Sequence, residues 1–312
     1  MRKFFIALTA LLAAFVLSSC GGSGSGSSIG HLAGIYFIDG TNNRMIWMSN
    51  MTATDSAILD SSVTSVTDVV DGTVDNNGKL YLIDGTNDAI VRFNDVLGSG
   101  RASYGSHGNG IGQFLDPVRV AVDHSANVYV VDRGRNALVK FATNGSLWQT
   151  LDLSTWFAPG DKPAIVLDAF GHIYLAGAGE IVKLQGFTTS NAVTYGSLGS
   201  DVGNFDNPSA IALDDQGKIY VADTGNDRIV RITDITGTGW TTFGTSGSGD
   251  NQFSGPTGVS VDHLGSVYIG DSNNHRLVRI DHMTGGNWTE IDHLPSTNFG
   301  DPSTVFAHLP NF

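Results

Sequence analysis

Cysteine occurs once in the 312 residues, at Cys20. No intrachain disulfide and no cysteine-ligated metal site is open to such a chain, so its stability has to come from packing. Basic residues are scarce as well: 17 Lys and Arg stand against 30 acidic residues, for a formal charge of −13. Affinity for nucleic acid is built on Lys and Arg displacing counterions from phosphates, and this balance argues against such a partner. Glutamate is nearly missing. Only Glu180 and Glu290 are Glu, and the other 28 acidic residues are Asp, whose short carboxylate bonds its own backbone in turns. Much of the negative charge therefore belongs to turn chemistry. There is no run long enough to span a bilayer: the apolar stretch from Phe4 to Leu17 has 14 residues, where roughly 30 Å of hydrocarbon needs about 20.

With Arg2 and Lys3 in front of it, that short run reads as a secretory signal peptide. It ends in Leu17-Ser18-Ser19-Cys20, which resembles the lipobox of bacterial lipoproteins. The resemblance implies cleavage after residue 19, lipid on Cys20 and stable attachment to a membrane in the cell envelope, outside the cytoplasm. Gly21 stands where enteric lipoproteins kept at the inner membrane carry Asp, which leans the location toward an outer membrane. Residues 20–29 are the lipidated Cys and a Gly/Ser tether, a flexible coil reaching about 16 Å. Losing Arg2 and Lys3 with the signal takes the formal charge two units further negative. The rest, residues 30–312, is a folded domain.

That domain is repetitive. Tyr36, Tyr81, Tyr129, Tyr174, Tyr220 and Tyr268 recur 45 to 48 residues apart, each inside a short apolar run, and a fixed period of this length marks an array of one supersecondary unit. The fifth copy is the clearest. Pro208 to Asp214 alternates as a strand, Asp214-Asp215-Gln216-Gly217 is a turn with Gly available for positive φ, and Lys218 to Asp223 is a second strand. After the turn Asp223-Thr224-Gly225-Asn226, Asp227 to Ile232 is a third strand and Trp240 to Phe243 a fourth. Four short antiparallel strands with turns between them predict one propeller blade.

Tyr104 and Phe114, Tyr195 and Phe205, and Phe243 and Phe253 are each ten residues apart across Gly-rich sequence, and each second aromatic precedes Pro117, Pro208 or Pro256 by three. These segments predict loops that cross from the outer edge of one blade to the inner strand of the next, with the aromatic wedged between them. Phe299 and Pro302 repeat the spacing, and the chain ends half a unit later, while residues 34–39 and 44–48 supply the missing strands. The fold class is therefore all-β: a six-bladed β-propeller whose ring closes by pairing the C-terminal strand with the N-terminal blade, which removes exposed sheet edges.

The units Pro-x-x-Val/Ile-x-Val/Leu-Asp, the run Tyr220 to Ile229 and the Gly-rich Phe-x-x-Pro linker resemble NHL repeats, most closely in the fifth and sixth copies. The resemblance implies a six-bladed propeller and no single function, because similar propellers serve as sensors, binders and a few enzymes.

Asp39, Asp84, Asp132, Asp223 and Asp271 recur before Gly or Asn turns, with Arg44, Arg228 and Arg276 near three of them, and read as turn caps. The fourth blade breaks the pattern with Gly177 and a shortened turn before Glu180, a place for a ligand notch or partner contact. The nine His form no His-Glu-x-x-His or His-x-His pair, and His124 and His263 occupy one turn of opposite blades. No catalytic or metal-binding residue is assigned. The third position after Pro is small in Ala210, Gly258 and Thr304, yet is Arg119 in blade three and Asp71 in blade two. An ion pair between them is the first expectation, and a charged channel mouth for an anionic ligand the second. Arg133 and Arg135 replace the usual Thr and Asn of the turn and are candidate contact residues. The sequence thus points to a monomeric, membrane-anchored propeller that binds a protein, peptide or glycan without a cofactor. The alternative is a hydrolase or lyase, lactonase-like or amidating-lyase-like, which would need calcium or zinc.

Overall fold

The computed structural model describes residues 33–308. The signal peptide, Cys20 and the Gly/Ser tether lie outside the described residues. Among the described residues no helix is long and apolar enough to cross a membrane.

Six four-stranded antiparallel sheets form the blades of the propeller. In the fifth, the strands are Pro208–Leu213, Ile219–Asp223, Arg228–Ile232 and Thr241–Phe243, from the axis outward. The first blade takes its inner strand, Pro302–His308, from the far end of the chain and pairs it with Gly34–Asp39, Ile35 lying opposite Ala307 and Phe37 opposite Val305. In five blades the first residue of the inner strand is followed by a register shift, as between Pro208 and Ala210; blade four has none. A bulge of this kind re-aims the side chains that follow it.

Each of the six apolar clusters spans one blade interface. Tyr220 packs with Ile269 and Val278 of blade six, Tyr268 with Ile35 and Phe37 of blade one, and Tyr129 with Ile173 and Leu175 of blade four. The repeated Tyr is thus the residue a blade lends to its neighbour. Its hydroxyl has a second task. Tyr81, Tyr129, Tyr174, Tyr220 and Tyr268 donate to Asp75, Asp123, Asp168, Asp214 and Asp262 of their own blades at 3.1 to 3.4 Å. In the fifth blade the same Asp214 accepts from the backbone N–H groups of Gln216 and Lys218 at 2.9 Å. One side chain therefore shapes the turn and satisfies a hydroxyl that burial would otherwise leave unpaired.

The wedge residues Phe114, Phe205 and Phe253 are fully buried between blades. Phe114 stacks obliquely on Trp148 with ring centres 5.6 Å apart, and Phe253 on Trp288 at 5.7 Å. Gly105, Gly196 and Gly244 stand at φ +90°, +104° and +101°, and a Cβ on any of them would run into the ring of the wedge. The linker glycines follow from that approach and from the left-handed backbone.

The recurrent Asp caps hold those linkers. Asp223 accepts from the N–H of Asp206 at 2.7 Å and Asp271 from that of Ser254 at 2.8 Å. Arg44, Arg228 and Arg276 pair with Asp39, Asp223 and Asp271 at 2.7 to 2.8 Å. One detail departs from expectation: Asp227, read as the start of the third strand, adopts the left-handed conformation at φ 51° after a short 3₁₀ turn, as His275 does at φ 53° in blade six. Asn or Asp fills this place in four blades, Asn43, Asp88, Asn136 and Asp227, because their short side chains tolerate it.

Candidate functional site

The six inner strands surround an axial channel of about 360 Å³. Just inside the strand starts lies the ring predicted from the spacing after Pro: Asp71, Arg119, Ala210 and Thr304 line the channel, Ala164 supplies the place in blade four, and Gly258 holds the matching register position in blade six. Small residues stand there partly because the blades come very close. A Cβ on Gly258 would collide with the Ser303 carbonyl of blade one.

Asp71 is 2 % exposed and accepts from the backbone N–H of Val120 at 2.9 Å and from the Thr304 hydroxyl. It thereby ties blade two to blades one and three. Burial pushes its carboxyl above the usual range, against the pull of Arg119, Thr304 and the N–H groups of Val120 and Gly72. The direct ion pair expected between Asp71 and Arg119 does not form. Among the described residues no carboxylate lies within salt-bridge distance of Arg119. Its guanidinium, half-buried, donates instead to the Val118 carbonyl at 3.1 Å and to the Ser209 carbonyl, two blades away, at 3.4 Å. The reason is the local geometry: after the bulge Asp71 turns toward its neighbours' strands and Arg119 reaches over the opening.

Blade three differs from blades five and six at two further positions. In blades five and six a hydroxyl relay joins the blades: Ser209 to Thr224 and on to the Pro256 carbonyl at 2.6 Å, and Thr257 to Ser272 and on to the Pro302 carbonyl at 2.8 Å. Val118 and Arg133 hold the corresponding places in blade three, so this relay is missing there. Arg133 pairs with Asp116 at 2.5 Å. Arg135 turns away from solvent, its side chain 11 % exposed, and donates to the carbonyls of Gly108 and Gly110 at 2.8 and 3.0 Å, with Asp132 3.2 Å away. Asn226 and Asn274, at the same place in blades five and six, donate to the matching carbonyls of Gly199 and Gly247 at 3.0 and 2.9 Å, and Arg276 donates to that of Gly249 at 3.1 Å. Ala137 occupies the Arg228 position in blade three, and Arg135, at the Asn226 position, makes the Asn's linker bond and adds the one to Gly110. Arg135 is therefore a linker clamp, and the free surface expected of it is not there.

The fourth blade fills its own irregularity. Phe157, six residues before Pro163 rather than three, packs between blades three and four with Leu153, and Gly177 leaves room beside its ring. The Asn136 amide donates to the Phe157 carbonyl at 2.8 Å. A two-residue turn, Ala178-Gly179, links Gly177 to Glu180. Lys162 in the longer linker is exposed; desolvation lowers its pKa first and the nearby positive charges of Arg133 and Arg119 lower it further, with Asp116 opposing. Lys162 was missed in the sequence, although it stands before Pro163 where other copies have Asp116, Asn207, Gly255 or Asp301.

His124 and His263 are exposed turn residues. Glu290 lies on an outer strand and pairs with Arg276 at 2.5 Å, while Glu180 is pushed up by burial alone. Among the described residues no three His, Cys, Asp or Glu side chains are grouped so that they could hold a metal ion.

The NHL repeat model matches residues 205–232 and 253–280, each a wedge Phe followed by three strands, in blades five and six. The chain thus carries NHL repeats in a six-bladed propeller, strongest in the two copies that resemblance had singled out. No curated protein sequence matches the chain. Among solved structures it is similar to a chain of a nidogen/laminin complex, with TM-score 0.63, 14 % identity, and 89 % of this chain and 98 % of that one covered. It is also similar to virginiamycin B lyase from Staphylococcus aureus, in a catalytically inactive form solved with quinupristin, with TM-score 0.54, 18 % identity and coverage of 76 % and 73 %. A streptogramin B lyase gives 0.53, 17 %, 73 % and 69 %. At these identities the likeness is one of fold.

Proposed function

We propose that this chain is a lipid-anchored binding propeller of the bacterial envelope, held at a membrane, the outer one by the residue after Cys20, through lipid on Cys20 and presenting its ring as a monomer to a protein, peptide or glycan outside the cytoplasm. One observation carries the reading: on a strongly acidic chain, Arg119 lines the axial channel with no carboxylate in salt-bridge distance among the described residues, and the charges of Lys162 and Arg133 are near enough to be felt there. A cation at a concave opening of mixed polar and apolar lining is a usual form of ligand site. The similarity to a chain from a nidogen/laminin complex supports such a role, since a ring of this fold occurs there in a protein complex. The lyases of the same fold support the alternative, a metal-dependent hydrolase or lyase.

Two measurements on the full-length protein decide between them. Cys20→Ser should move the protein from the membrane fraction to the soluble extracytoplasmic fraction; retention in the membrane would remove the anchor from the account. Elemental analysis of the purified protein should find neither zinc nor calcium in stoichiometric amount, and lactone substrates should not turn over. Stoichiometric metal with metal-dependent turnover would replace the binding reading by the enzymatic one.

A further inference from the structure

We infer that the Arg119 mouth of the channel binds a carboxylate carried on a short apolar group. The inference rests on the binding reading above and names the chemistry of its ligand. Arg119 offers five donors in a planar fork and gives two of them to carbonyl oxygens, one only at 3.4 Å. The fork matches a carboxylate, which can displace the long contact and accept two parallel hydrogen bonds. Asp71 does not fill that role, because its oxygens are bonded to Val120 and Thr304 and it is buried. Lys162 and Arg133 add positive charge nearby, and Asp116 is already paired with Arg133.

The site suits a monoanion better than a phosphate. Phosphate cradles are built from several free backbone N–H groups, and the Gly-rich linkers have spent theirs: Gly108, Gly199 and Gly247 donate to the carbonyls of Phe114, Phe205 and Phe253 at 2.8 to 3.0 Å. Beyond Arg119 the wall offers apolar contacts at Ala164, Ala210, Ile211 and Val259 beside polar Thr257 and Ser260, so an apolar stem has surface to lie against. The channel volume of about 360 Å³ lies at the small end of ligand pockets, so it admits a chain end or small molecule and excludes a folded domain.

The probe is N-acetyl-leucine, a carboxylate on a branched apolar stem, with N-acetyl-leucinamide as its uncharged twin, titrated into full-length protein in lipid nanodiscs. The acid should bind saturably, and the amide at least about tenfold more weakly, the loss expected for one charge-assisted hydrogen bond. Arg119→Gln, which keeps the stem, should weaken the acid by about tenfold or more and leave the amide unaffected, at an unchanged melting temperature. Should that variant melt earlier, Arg119→Lys carries the test: it keeps the charge, loses the fork, and should bind the acid several-fold more weakly by losing one of two parallel bonds. Equal affinities for acid and amide, undiminished acid binding by a folded Arg119 variant, or no saturable binding of the acid would each overturn the inference. If the acid fails while longer peptides or glycans still bind, only the carboxylate assignment falls; if none binds, the binding reading falls with it.

Discussion

Replacing Asp71 by Asn and by Ala separates what its charge does from what its hydrogen bonds do. Folding lifts its carboxyl above the ordinary value near 3.8, with burial the largest cause. A group raised in this way contributes stability that is fully present below the unfolded value and lost as pH rises through the folded one, at about 1.4 kcal/mol for each unit of displacement. At neutral pH the ionised form is therefore a cost that Asn does not carry. Asn can still accept from Val120 and donate to the Thr304 oxygen, so both contacts survive. Asp71→Asn should equal or exceed the natural protein in stability at pH 7, and its advantage should shrink as pH falls toward 4. Asp71→Ala strands a buried N–H and the Thr304 hydroxyl, at about 1–3 kcal/mol each, and should lower the melting temperature by about 5–10 °C. Urea unfolding followed by tryptophan fluorescence at pH 4, 5, 6 and 7 reads both. An Asn variant that loses ground as pH rises would mean that Arg119 and the surrounding donors outweigh burial, and the reasoning would be wrong.

Gly244→Ala should cost about 2–4 kcal/mol, since the new Cβ meets the Phe253 wedge at φ +101°; a change under 1 kcal/mol in urea unfolding would contradict the wedge account. Arg135→Ala should destabilise by about 2–3 kcal/mol by freeing the Gly108 and Gly110 carbonyls and unpairing buried Asp132, whereas Arg133→Ala should cost less than about 1 kcal/mol because its pair with Asp116 is about a third exposed on each side and screened by solvent. Similar losses for the two, measured side by side, would refute the clamp. Tyr268 is pushed up to about 12, chiefly by burial. Stability should accordingly fall between pH 10 and 12, and Tyr268→Phe should flatten part of that fall in alkaline melts while costing about 1 kcal/mol at neutral pH through the lost bond to Asp262.

Much of the ring could be read from the chain because its strongest signals are local. The Tyr spacing, the wedge Phe three residues before Pro and the Gly beside it follow from contacts within one blade or between sequential blades, so each leaves a mark at a fixed offset. The site was legible only in part. Arg119 and Asp71 stood out as departures from a small-residue position, but the partner of Asp71 is Thr304, 233 residues away, and which way a side chain turns after a bulge is not written in the spacing. Arg135 stands where Asn226 does, and the spacing does not show that its longer side chain takes that Asn's linker bond and a second one to Gly110. Lys162 lay in a linker whose length differs from the rest, where alignment of the copies fails, and Val118 signals by a hydroxyl it does not have.

Backbone hydrogen exchange of the full-length protein with and without saturating N-acetyl-leucine tests the site most directly. Slowed exchange should be confined to the channel mouth, around residues 118–120, 162–165 and 209–211, with the outer strands unchanged. Protection on the outer strands or rim loops, with the mouth unaffected, would contradict the account.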